Sequence, residues 1–159
     1  TDLDGTEKPY LTQYELNCLT IQRGNLTESE FSEIQSHVSH SYNFVVQIPW
    51  IKELRGIPEI AYGHHENLNG EGYPRGLHEE EIVLQARMMC VCDIFDALTA
   101  SDRPYKKAAS LEKAIQILNF EVKDNHLCPE LVDIFIKEKV YQVVEAFTDQ
   151  EYVEEEKKS

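Results

Sequence analysis

The stretch Asn69-Gly70-Glu71-Gly72-Tyr73-Pro74 does most to constrain how this chain can fold. Its two glycines and its proline freeze a turn near the middle of the sequence. Regular elements must therefore lie on either side of a fixed loop. Immediately before it stands His64-His65-Glu66. Two adjacent imidazoles and a carboxylate are costly to hold together unless something cationic binds them. A metal-dependent site beside a rigid substrate loop is the reading these residues suggest.

The flanking segments read as helices. Thr27 can cap a helix and Glu30, three positions on, completes a capping box; Phe31, Ile34 and Val38 follow at helical spacing. This helix carries His37 and His40 and is predicted to run to about Val46. Tyr14 to Ile21 fits a short helix or an extended link. Pro49 and Pro58 bracket a short helical piece, Trp50 to Arg55. A helix from near Pro58 would carry Ile60, Ala61, His64 and His65, and adjacent helical histidines point about 100° apart. They would then serve two neighbouring ions, or one would bind while the other orients.

After the loop, Glu79 to Ala100 reads as one long helix. Ser110 caps a helix through Leu118, and Pro129 opens one that leads Leu131, Ile134, Phe135, Val140, Val143 and Val144. No β-alternation persists and no internal repeat is visible, so the expected fold class is all-α. The organisation expected is a poorly matched segment at 1–24, a helical domain at 25–147 and an acidic tail at 148–159.

These residues carry a family resemblance. HHENLNGEGYPRGL at 64–77 resembles the HHE…DGxGYPxGL signature of HD-GYP proteins. The run from Asp93 to Lys106 resembles that family's DxFDALT…RPYK segment. The two stand in family order and at family spacing, within a resemblance reaching from about Gly24 to Phe135. It implies an HD-superfamily helical bundle that hydrolyses cyclic di-GMP at a centre of two or three metals. It implies metal ligands at His37, His64, His65 and Asp93, and phosphate contacts from Arg103 and Lys106; Tyr73, in the turn, is read as a substrate-binding residue that packs against a guanine or as one that holds the loop. Glu66 is read as an orienting neighbour rather than a ligand. Imidazole with carboxylate suits Fe, Mn, Zn or Ni, so two divalent transition metals are expected without a choice among them. Bound divalent metal would activate a water for attack on phosphorus.

The sequence departs from the family pattern at one important place. No adjacent His-Asp pair occurs in this chain, although the family is named for one. The bundle is therefore expected to be incomplete at its N-terminal end, with an apolar face exposed that invites a homodimer. A degenerate module that binds a nucleotide, or a partner such as a diguanylate cyclase, is the alternative function. Smaller departures are Asn69 where Asp is usual and Cys128 where Asp is common.

Charge and cysteine use fit this reading. A net charge of −14 excludes a general duplex nucleic-acid binder, which needs a basic surface. A dianionic dinucleotide could bind only where metals or a local Arg/Lys cluster gather. Cys18, Cys90, Cys92 and Cys128 match no zinc-finger spacing, and Cys90 and Cys92 are expected as small buried side chains. No secretory start or apolar run of ~18–20 residues is visible, and a cytoplasmic setting is expected.

Overall fold

The computed structural model describes residues 9–21, 26–100 and 108–143. Among these, all regular elements are helical, and the one β-type pairing is an isolated bridge between Asn69 and His78. The helices are α1 (Gln13–Leu19), α2 (Glu28–Val45), α3 (Ile57–Gly63), α4 (Leu84–Thr99), α5 (Leu111–Lys123) and α6 (Pro129–Lys137). Short 3₁₀ turns occupy Lys52–Leu54 and Glu79–Glu81. The chain divides into two compact units, residues 1–37 and 38–159, with the boundary inside the continuous helix α2.

In the first unit, helix ends are fixed by local chemistry. Thr12 and Glu15 form a reciprocal capping box at α1. Glu30 accepts the Thr27 backbone N–H at 2.8 Å, and the Thr27 hydroxyl accepts the Glu30 N–H at 3.3 Å. These exchanges satisfy donors that the first helical turn leaves unpaired. None of the described residues before Val38 is buried.

In the second unit, α4 is the central element and packs against α3, α5 and α6, while α5 also packs on α6. One apolar cluster joins Cys90, Val91, Leu118, Leu127, Val132 and Phe135. A second joins Leu68, Ile82, Ala86 and Cys128 and seats the root of the glycine loop. Phe95 and Phe135 meet edge-on with ring centroids 5.1 Å apart, a geometry aromatic quadrupoles favour. On α2, Val38 is fully buried and the Tyr42 ring lies 4.3 Å from that of Tyr62 on α3.

Three expectations about helix extent need correction. The segment 79–100 is not one helix: Ile82 (ψ 121°) and Val83 (ψ 144°) are extended between the 3₁₀ turn and α4. Arg87 holds this break from both sides, donating to the carbonyl of Ile82 at 2.9 Å and to the Glu79 carboxylate at 3.0 Å. Second, α5 runs past Leu118 to Lys123 and ends in a Schellman motif, with Asn125 left-handed at φ 57°. His126 N–H bonds the Glu121 carbonyl and Asn125 N–H bonds that of Val122. Third, α6 stops at Lys137 before Val140 and Val143. The same motif closes it, with Lys139 at φ 52° and Val140 N–H bonded to the Phe135 carbonyl. Val144 lies outside the described residues.

Candidate metal centre and substrate loop

Pro58 sits in the first turn of α3, where its missing N–H costs nothing. The helix ends at Gly63, so His64 is its C-cap and His65 lies beyond it. This corrects the expectation that both histidines ride on the helix about 100° apart. His64 is buried, with its Nδ1 donating to the Ala61 carbonyl at 2.8 Å. That bond selects the tautomer whose lone pair is on Nε2. The His64 and His65 rings lie 4.2 Å apart at an interplanar angle of 39°.

His37 projects from α2, whose continuation Val38–Val45 belongs to the second unit. Its Nδ1 donates to the Ile34 carbonyl at 2.5 Å, which again puts the lone pair on Nε2. One ligand-capable nitrogen from each of His37, His64 and His65 lies within 4.8 Å of the others. Nitrogen ligands on a tetrahedral ion with bonds of about 2.0–2.1 Å stand roughly 3.3 Å apart. The donor set and its tautomers therefore fit a borderline transition metal, with modest side-chain adjustment.

The loop closes against His65. Tyr73 N–H donates to the His65 carbonyl at 3.1 Å, and the Tyr73 ring stacks on the His65 ring at 4.8 Å and 20°. Gly72 is obligatory there: a Cβ would stand 2.2 Å from Asn67 N and 2.5 Å from Glu66 Cα. Gly70 and Gly76 adopt φ of +83° and +65°, left-handed values that side chains resist. The Tyr73–Pro74 peptide is cis. At its far edge the loop meets the α5–α6 turn, where His126 Nδ1 lies 2.7 Å from Glu121 and Nε2 lies 3.8 Å from Glu71.

Asp93 stands half-buried on α4 and is not among the side chains whose donor atoms gather with the three histidines. It faces the same region, for it helps hold the Tyr73 hydroxyl above its ordinary pKa, behind burial as the larger cause. It does not pair with Arg87, which bonds Glu79. Arg103 and Lys106 lie outside the described residues. Cys90 is buried and its thiol is pushed up to about 12, by burial first and by Asp93 next. Cys92 is exposed, which corrects the expectation of two buried thiols. All four cysteines are free.

Arg75 escaped the sequence reading, and Glu66, read there as an orienting neighbour, acquires its partners in the structure. Arg75 bonds Glu59 at 2.5 Å and lies 4.9 Å over the Tyr62 ring, tying the loop to α3. Glu66 is buried and accepts two loop amides, from Arg75 at 2.8 Å and Leu77 at 2.9 Å. A carboxylate directly before a glycine-rich turn was the available signal; its burial was not visible from composition.

A profile of the HD domain family matches residues 14–131. The chain belongs to the HD domain family, and its relatives place it among the HD-GYP members. It is 36% identical over 114 residues to a cyclic di-GMP phosphodiesterase of Pseudomonas aeruginosa, covering 72% of this chain and 26% of that one. It is 37% identical over 102 residues to the 3'3'-cGAMP-specific phosphodiesterase 3 of Vibrio cholerae, covering 64% and 21%. A cyclic di-GMP phosphodiesterase of Thermotoga maritima is 35% identical over 120 residues, covering 75% and 32%. The chain thus spans between a fifth and a third of the length of these relatives. Among the described residues no helix is long and apolar enough to cross a membrane.

Proposed function

We propose that this domain takes part in metal-dependent hydrolysis of cyclic di-GMP. The observation that carries the reading is the gathering of His37, His64 and His65 beside the Tyr73 loop. His37, His64 and His65 would hold divalent metal through Nε2 of the first two and a ring nitrogen of the third, and Asp93 would complete or bridge a second site. Two divalent ions, when bound, supply an acidified water and charge neutralisation at the phosphoryl oxygens.

This chain's own residues perform the remaining tasks. The Ala61 and Ile34 carbonyls fix the ring orientations of His64 and His37. Tyr73, stacked on His65 and half-buried, presents a hydroxyl that stays protonated and so donates to a phosphate or guanine oxygen. Arg103 and Lys106 would supply cationic contacts to the phosphates, Arg as a bidentate fork. The substrate is then drawn by local positive charge against the −14 of the whole chain. Exposed Phe31 and Ile34 on α2 support a pairing surface for a second copy of the domain.

The test is hydrolysis measured by nucleotide chromatography on the metal-loaded protein, with cyclic di-GMP and 3'3'-cGAMP supplied side by side. Turnover of cyclic di-GMP that disappears on chelation is expected. Bound metal with neither turnover nor binding of cyclic di-GMP contradicts the proposal, and preference for 3'3'-cGAMP reassigns the substrate.

A further inference from the structure

We infer that Glu66 is a positioning residue whose buried carboxylate fastens the substrate loop so that Tyr73 is held against His65. The inference rests on the functional reading above only for its kinetic consequence. The Glu66 side chain is 0% exposed. A carboxylate so placed is costly unless its oxygens are bonded. Both are bonded, and both to loop backbone: Oε1 accepts from Arg75 N–H at 2.8 Å and Oε2 from Leu77 N–H at 2.9 Å. The nearest charged partner is weaker, with Arg75 Nε 3.9 Å from Oε1. The carboxylate therefore reads backbone geometry rather than a counter-charge.

The position of these bonds matters. Tyr73 N–H is held by the His65 carbonyl, on the residue just before Glu66. Two residues beyond Tyr73, the Glu66 carboxylate takes over the chain and holds it through Leu77. Between the two anchors lie Tyr73 and Pro74, so Tyr73 is clamped from both sides. Gly72 allows the approach, since its backbone packs directly on Glu66 and Asn67. With each oxygen committed to an amide, Glu66 is assigned to the loop rather than to metal.

This arrangement demands two acceptors. Glutamine has the same shape but offers one acceptor and one donor, so its NH₂ would face a backbone N–H. Aspartate is one methylene shorter yet keeps both acceptors. A role in filling space ranks Gln above Asp; the role inferred here ranks Asp above Gln.

The experiment is amide hydrogen exchange with residue resolution on the chain and its Glu66→Gln and Glu66→Asp variants, with bound metal measured in parallel. In E66Q, protection of the Arg75 and Leu77 amides should fall roughly 10- to 100-fold, the equivalent of a charge-assisted bond lost. E66D should recover part of that protection, and metal content should stay unchanged in both. In turnover of cyclic di-GMP, KM should rise more than kcat falls. E66Q as protected as the parent, or more protected than E66D, overturns the inference, as does metal lost in step with the substitution. Should a variant not fold, the parent chain still decides: Arg75 and Leu77 amides exchanging like unstructured ones overturn it alone. If exchange behaves as expected but no turnover is found, the functional reading fails and the clamp stands.

Discussion

The first turns of α2 and the loop from His64 to Leu77 are built by opposite means. At the start of α2, order comes from neighbours in sequence: Thr27 and Glu30 cap each other, while Phe31 and Ile34 stay more than half exposed. In the loop, order comes from distant partners. Glu66 reaches amides nine and eleven residues away, and Leu68 N–H bonds the His126 carbonyl. Local chemistry can define a helix end, but most helical stability in proteins comes from packing of an amphipathic face. His64, buried, and His65, stacked under Tyr73, belong to the packed side of this contrast, which would suit a site that must hold its geometry before a ligand arrives.

Substitutions can break or sharpen the contrast. Leu118→Ala empties a fully buried core position and should cost about 2–5 kcal/mol in chemical unfolding. Gly72→Ala drives a Cβ into backbone and should cost about 2–3 kcal/mol and displace Tyr73 from His65, visible in ring-current shifts. Thr27→Ala should cost about 1 kcal/mol, the usual worth of an N-cap. Phe31→Ala, at an exposed site, should stay within about 0.5 kcal/mol. A Phe31 effect as large as that of Leu118 would erase the distinction between the two regions.

Acid should separate the regions as well. Glu30 and Glu15 are held below the usual carboxylate range by the amides and hydroxyls of Thr27 and Thr12. Their folded values lie below their unfolded ones. Their contribution is therefore present at neutral pH and is lost as pH falls through the folded values. The Thr27 amide resonance should follow that titration before the core amides of α4 respond.

Much of this contrast was legible in the sequence, and unevenly so. The capping box at Thr27 and the cap at Ser110 are local signals, and both hold in the structure. The all-α class followed from the missing β-alternation. The place of His64 and His65 was not legible, because α3 stops at Gly63 without a proline and His64 still has helical dihedrals. The break at Ile82 was hidden because apolar spacing continues across it; a buried Ile82 and the reach of Arg87 decide it. The end of α6 was hidden because Lys139, not glycine, takes the left-handed position. Lys139→Gly should accordingly stabilise the fold by up to about 1 kcal/mol. Gathering His37 with a pair almost thirty residues later is a tertiary fact that spacing could only suggest.

The proposed function requires that the imidazoles of His37, His64 and His65 bind a cation together beside the Tyr73 loop. X-ray absorption at the zinc edge, on the zinc-loaded chain and on His37→Ala, tests it most directly. His37 is exposed, so its removal should leave the core intact. Imidazole nitrogens are expected at about 2.0–2.1 Å, one fewer in the variant, with affinity lower by on the order of 100-fold. Zinc held without imidazole scattering, or bound equally well by His37→Ala, contradicts it.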